Sequence, residues 1–419
     1  MASSEIQSIL DEADRLCQVS DPPETPYTSK YKAREILEQA RADLESTGIS
    51  LDSTDDPCII QIGLIDLRLG SIALETEENH VAEIKLNQCL EAFCPGFVKT
   101  AIEIAGPLET ETDASPNQKE TPPALTVPND SELESISCAP SALTRNTGCI
   151  GDLVGALNQL GILWSSRGQP RRALIFLSAA KNLCEKEETQ SVPPPPVPVE
   201  GEEGLPPPPP PDPTPNSSVV KLQQAYTLTL FYLAQAWGHL EHPAKSAAYC
   251  QETLGRQLLP GETLDKREWV KNCMHLGDYY LGINRLRAVD ACFAACLPLM
   301  KELREENPPA SNSDDDPLVS LQADLDRRQG RLWLSVLQIR HEQQMLCDSG
   351  VPEMAEDLVA DQGEGDQVRA SFRRLLTETD QDVSQALPNP STVETFEQAR
   401  DVFKNANRFY ESAKKVLCT

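Results

Sequence analysis

One stretch restricts the fold more than any other: Ala156–Lys186, ALNQLGILWSSRGQPRRALIFLSAAKNLCEK. Leu157, Leu160, Gly161 and Trp164 recur every three or four residues and so share one face of a helix. Gly168 stops that helix and Pro170 starts a second, along which Ala173, Leu177 and Ala180 make a matching stripe. With Leu157 as position 4, these residues fall at 4, 7, 8, 11, 20, 24 and 27. Small residues at 8 and 20 let two antiparallel helices approach closely, and larger ones fill the space within the pair and toward the next pair. A single hairpin cannot cover its own apolar face, so neighbours are required.

This is the tetratricopeptide pattern, and it recurs. Leu69, Gly70, Ala73, Ala82, Leu86 and Cys89 carry it over 57–93. Leu230, Leu233, Ala234 and Trp237, with Ser246, Cys250 and Thr253, carry it over 219–259. Cys273, Leu276, Gly277 and Tyr280 carry it from Arg267 to Met300. In the last copy, a turn shortened by one residue would set Ala288 rather than Val289 against Gly277. Gly161 to Ala234 is 73 positions and Ala234 to Gly277 is 43, against about 34 for the ordinary motif. The array is therefore divergent, with expanded loops.

The fold class expected is all-α: a right-handed superhelical solenoid of antiparallel helix pairs. Only 5% of the residues are aromatic and alternating β-branched runs are scarce, which argues against sandwiches and barrels. The chain divides into N-terminal helix pairs (1–93), an acidic Pro/Ser-rich insertion expected to be disordered (94–150), and a repeat hairpin (151–186). A Pro-rich linker (187–218), two repeat hairpins (219–303), a loop (304–317) and a linker helix (318–347) follow. A loop with a short helix (348–390) leads to a final apolar helix (391–419). The 34 prolines are assigned to loops. Phe396, Ala399, Phe403, Ala406, Tyr410, Ala413 and Leu417 give that last helix a face too apolar for solvent, so further protein or another chain is expected to cover it.

The net charge of −28 disfavours nucleic acid and anionic membranes and suits basic partners, unless the acid serves only solubility. No basic segment followed by an apolar run marks a signal peptide. Cys58–Leu74, interrupted by Asp66 and Arg68, is expected to be too short to span a bilayer. Thirteen cysteines without CxxC or zinc spacing suit buried, reduced thiols in the cytoplasm. The proline runs Pro193–Pro196 and Pro206–Pro211 are either spacers or ligands for SH3 or WW domains or profilin; neither carries the flanking Arg or Lys that orients an SH3 ligand.

No nucleotide loop, HExxH or GxSxG is present, and His239 and His242 have no ligating neighbour at metal spacing. The chain is therefore read as non-enzymatic, without cofactor or metal. Positions 2, 5, 9 and 12 of each first helix should line a concave groove. They supply Asn158 and Ile162; Leu228, Phe231 and Gln235; and Lys271, Met274, Asp278 and Leu281. Only Lys271 and Asn158 suit a carboxylate clamp of the co-chaperone kind. The remainder suits an amphipathic or basic helix, unless these side chains pack against adjacent hairpins. Leu160, Gly161, Trp164 and Ala173, with Leu233, Ala234, Trp237, Leu276, Gly277 and Tyr280, are assigned to the repeat core.

Five segments, SKYKAREILEQ (29–39), LNQLGILWSSRG (157–168), LFYLAQAWGHLEHPAKSAAYCQETLGRQL (230–258), REWVKNC (267–273) and FEQARDVFKNANRFYESAK (396–414), together resemble the KIF-binding protein family. They occur in the family's order. Relative to the family, 94–150 and 187–218 look expanded, and its C-terminal helical subdomain is expected to be absent. The resemblance implies an adaptor that binds kinesin motor domains and blocks their engagement with microtubules. It implies a cytoplasmic, cytoskeleton-associated protein that influences transport, mitochondrial distribution and neuronal process growth. A general repeat scaffold for a signalling or chaperone complex is the alternative.

Overall fold

The computed structural model describes residues 3–46, 57–106, 129–191, 218–260, 262, 264–306, 317–348, 363–376, 404 and 407. The described residues are all-α, in two compact units, residues 1–242 and 243–419. The proline runs, and all of the final apolar helix but Lys404 and Asn407, lie outside them.

The first unit contains α1 (Ser3–Cys17), α2 (Thr28–Ser46), α3 (Pro57–Glu75), α4 (Asn79–Phe93) and α5 (Phe97–Ala105). It continues with α6 (Asp130–Ser135), α7 (Ala142–Asn146), α8 (Ile150–Ser166), α9 (Pro170–Ser191) and α10 (Ser218–His239). Helices pair as α1/α2, α3/α4 and α8/α9, each pair stacks on the next, and α10 packs on both α8 and α9. The second unit contains α11 (Pro243–Arg256), α12 (Lys266–Gly282), α13 (Leu286–Glu306) and α14 (Pro317–Asp348), then the short α15 (Glu364–Ser371) and α16 (Arg373–Leu376). Here α12 and α13 form the hairpin, with α14 across both.

The close approach within the hairpins follows one rule. A Cβ on Gly70 would stand 2.7 Å from Leu86, one on Gly161 2.6 Å from Leu177, and one on Gly277 2.5 Å from Phe293. Each large residue comes sixteen positions after its glycine, so positions 8 and 24 mesh in all three hairpins. This corrects the shortened turn expected after Gly277. The constant spacing leaves Val289 at position 20, and a phenyl ring, not Ala288, fills the notch that Gly277 leaves open.

The turns are equally regular. Glu77, Gly168, Glu241 and Asn284 have φ of 63°, 67°, 58° and 59°, each seven residues after the small residue at position 8. In all four the following N–H returns to the carbonyl of position 11: Glu78 to Ala73 at 2.7 Å, Gln169 to Trp164 at 2.9 Å, His242 to Trp237 at 3.0 Å and Arg285 to Tyr280 at 2.9 Å. The left-handed residue itself donates to the carbonyl three back, which completes a Schellman motif. Only Gly168 adopts this φ without steric cost.

Three expectations are revised. The stretch 94–150 is not wholly irregular: α5, α6 and α7 lie within it. Averaged composition hides local anchors there. Asn129 and Glu132 form a capping box, Leu133, Ile136 and Cys138 are buried, and the Asn182 amide donates to the carbonyls of Leu133 at 2.9 Å and Ile136 at 2.8 Å. Pro298 lies inside α13 rather than in a loop. Finally, α3 is long and apolar enough by length and composition to cross a membrane, contrary to the expectation that it is too short. Its side chains are engaged within the fold instead. Asp66 is fully buried and accepts from Arg41 Nε at 2.8 Å and Lys85 Nζ at 3.1 Å. Burial opposes the charge on Arg68, but the Asp14 and Asp152 carboxylates outweigh it and hold its pKa above the ordinary value.

Candidate partner-binding face

The residues assigned to the repeat core are all buried: Leu160, Gly161, Trp164, Ala173, Leu233, Ala234, Trp237, Leu276, Gly277 and Tyr280. Two of them also make local polar contacts. Trp164 carries the guanidinium groups of Arg167 and Arg172 over its ring, at 4.9 and 4.7 Å. The Tyr280 hydroxyl donates to Gln251 at 2.8 Å.

The nine groove residues do not behave as one surface. In the second unit, α14 occupies the side of α12 that was to be the groove. Met274 and Leu281 are buried. Asp278 accepts from Arg328 Nε at 2.8 Å and from Arg331 at 3.3 Å, while Arg328 also reaches the Met274 sulfur at 3.9 Å. Arg328 is itself only 8% exposed, between Leu325 and Leu332, both buried. A buried guanidinium requires a carboxylate partner, and Asp278 supplies it. Met274, Asp278 and Leu281 therefore pack within the unit. Lys271 is exposed and pairs with Glu268 one turn earlier at 2.6 Å.

In the first unit, Asn158 is also internal. It is 1% exposed, its Nδ2 donates to the Ala225 carbonyl at 3.0 Å, and its Oδ1 accepts from Thr229 at 2.8 Å. It joins α8 to α10 and is not available to a ligand. With Asn158 buried, the carboxylate clamp loses one of its two members.

What remains open is one face of α10. Lys221, Gln224, Leu228, Phe231 and Gln235 follow at intervals of three and four, so they share a side of the helix. Leu228 is 43% exposed, Phe231 is half-buried, and Lys221, Gln224 and Gln235 are exposed. Tyr232 meets Phe231 edge to face, with centroids 5.3 Å apart, and burial pushes its phenol pKa up. Ile162 is half-buried on α8. Sequence reasoning found Leu228, Phe231 and Gln235 but not the polar residues that continue their stripe. It also overlooked that Arg328 and Arg331, one turn apart among leucines, could claim Asp278. That i, i+3 pair was the signal available.

The face is chemically plain. Two apolar side chains at the centre of a polar stripe suit an amphipathic helix laid alongside. Among the described residues, no group of three or more His, Cys, Asp or Glu side chains could hold a metal ion.

Comparison with known proteins agrees with this architecture. The family described as KIF-1 binding protein C terminal matches residues 267–418, which corrects the expectation that nothing of the family's C-terminal part is present. The KIF-binding protein of Drosophila melanogaster is 26% identical over 309 residues, covering 71% of this chain and 43% of that protein. That of Gallus gallus is 24% identical over 414 residues, covering 95% and 60%. The Homo sapiens protein is 26% identical over 302 residues, covering 71% and 43%. The chain thus spans less than two thirds of these relatives' length. These matches show what the chain is similar to: the family described as KIF-1 binding protein C terminal over residues 267–418, and proteins named KIF-binding protein over most of its length.

Proposed function

We propose that this protein is a non-enzymatic adaptor that binds kinesin motor domains and keeps them off microtubules, so regulating microtubule-based transport, including that of mitochondria and in growing neuronal processes. Kinesin binding is what the relatives' name states, and the matches to them support it for this chain. The observation that carries the reading is the α10 stripe. Leu228 and Phe231 stand partly open to solvent on a helix that buries Tyr226, Leu230, Leu233 and Trp237 on its other sides. A motor's filament-binding side is built to meet acidic tubulin, and so presents basic helices and loops. This chain, at −28, offers the same sign of charge as the filament. Long-range attraction then steers the encounter, and the apolar stripe holds the complex. Lys271, exposed in the second unit, is at most a rim contact.

The test is direct binding of purified motor domain, followed by calorimetry at low and moderate salt. Affinity is expected to fall as salt rises, and Phe231→Asp is expected to weaken binding by about tenfold or more, the range of an aromatic anchor, with circular dichroism unchanged. The bound motor should co-sediment less with microtubules. A folded, soluble protein that binds no motor domain directly would defeat the proposal.

A further inference from the structure

We propose that the cavity bordered by α2, α3 and α4 binds a small neutral carboxamide carried on an apolar body, and that Asp66 is the acceptor that recognises its N–H. The cavity measures about 510 Å³, inside the range of roughly 300–1,000 Å³ in which small-molecule sites fall. Asp66, on α3, stands in its wall and is fully buried. Its two oxygens are served unequally. Oδ1 accepts from Arg41 Nε on α2 at 2.8 Å and from Lys85 Nζ on α4 at 3.1 Å. Oδ2 is equally buried and accepts no hydrogen bond from any described residue. A buried carboxylate oxygen without a donor is costly, and a donor entering from the cavity removes that cost.

The charges around Asp66 select an uncharged donor. Arg41 and Lys85 already offset its carboxylate, so an ammonium or guanidinium brought to Oδ2 would stand beside two cations. A carboxylate or phosphate would instead face Asp66 and Glu91, which lies in the same wall. Glu91 is fixed there, accepting from Gly96 N at 2.9 Å. A neutral N–H meets neither repulsion and gives up less hydration on entry.

The rest of the wall specifies what the N–H is attached to. Asn87 and Gln88, on α4, contribute side-chain amides. Gln88 Oε1 accepts from Lys85 Nζ at 3.3 Å, which leaves its amino group to donate to a ligand carbonyl. A carbonyl beside an N–H is a carboxamide. Ile59, Ile62 and Ala92 supply apolar wall against which an aliphatic or aromatic body loses contact with water. Ser141 borders the cavity at the end of α4, where its N–H donates to the Phe93 carbonyl at 3.0 Å. None of these residues belongs to the α10 stripe, so this site stands or falls apart from motor binding.

The experiment titrates the full chain with four probes that share one apolar body and differ in the head group: phenylacetamide, phenethylammonium, phenylacetate and methyl phenylacetate. Ligand-observed NMR reads each affinity. Phenylacetamide is expected to bind with a Kd of about 1 mM or tighter. The ammonium, the carboxylate and the ester, which has no N–H, should each bind at least about tenfold more weakly. Asn87→Phe narrows the cavity without touching the Asp66 ion pairs and should weaken phenylacetamide at least about tenfold, with circular dichroism unchanged. No binding of phenylacetamide, equal affinity for the four probes, preference for a charged one, or undiminished binding to folded Asn87→Phe would overturn the proposal. The probe series on the unsubstituted chain decides the matter even if the variant folds poorly.

Discussion

Helices α10 and α12 occupy the same place in successive repeats, yet they end in opposite circumstances. On α10 the positions that line a repeat groove, Leu228, Phe231 and Gln235, stay at least partly open. On α12 the equivalent Met274 and Asp278 lie against α14, with Arg328 reaching across to both, and Leu281 is buried. The repeat fixes which residues point to that side of the helix. Whether the side is a surface or an interior depends on which later element packs there.

The largest expected effect tests this contrast directly. Met274→Asp would bury a second carboxylate beside Arg328, whose charge Asp278 already offsets, and should cost about 3–5 kcal/mol, read as a lower midpoint in urea denaturation. Phe231→Asp should cost less than about 1 kcal/mol in the same measurement. Equal losses would mean that the two faces are alike after all.

A second pair sharpens the distinction between a glycine that sets helix spacing and one that does not. Gly161→Ala places a methyl 2.6 Å from Leu177 and should destabilise by about 1–3 kcal/mol. Gly155, in the same helix, has nothing within 4 Å of an added Cβ. Gly155→Ala should instead stabilise by about 0.5–1 kcal/mol through helix propensity. Thermal denaturation of the two variants separates them by sign.

The smallest effect concerns the turns. Glu77 and Glu241 are exposed, with φ of 63° and 58°, so Glu77→Gly or Glu241→Gly should each stabilise by about 1 kcal/mol. Gly168→Ala should lose a similar amount. A midpoint that moves the same way in all three variants would contradict the shared Schellman geometry.

Much of the fold was legible because its rules are local. Glycine at position 8, an aromatic or alanine at 11 and a large residue at 24 are each visible within one hairpin, and their helices formed as their spacing implied. The disorder assigned to 94–150 failed because composition averages over a segment. The cap at Asn129, the three buried residues that follow and the Asn182 amide act one at a time. The candidate face was half legible: Leu228 and Phe231 were found by position, whereas Asn158 carried the right position and the wrong environment.

The sequence by itself determined the helices, their pairing and the depth at which each pair meshes, because those depend on residues a few turns apart. Only the tertiary structure decided that α14 would close one repeat face while another stayed open. It also decided that the end of α4 would meet residues 138–144. Both rest on contacts between residues about fifty positions apart, and no periodicity within a helix records which distant side chain will meet it.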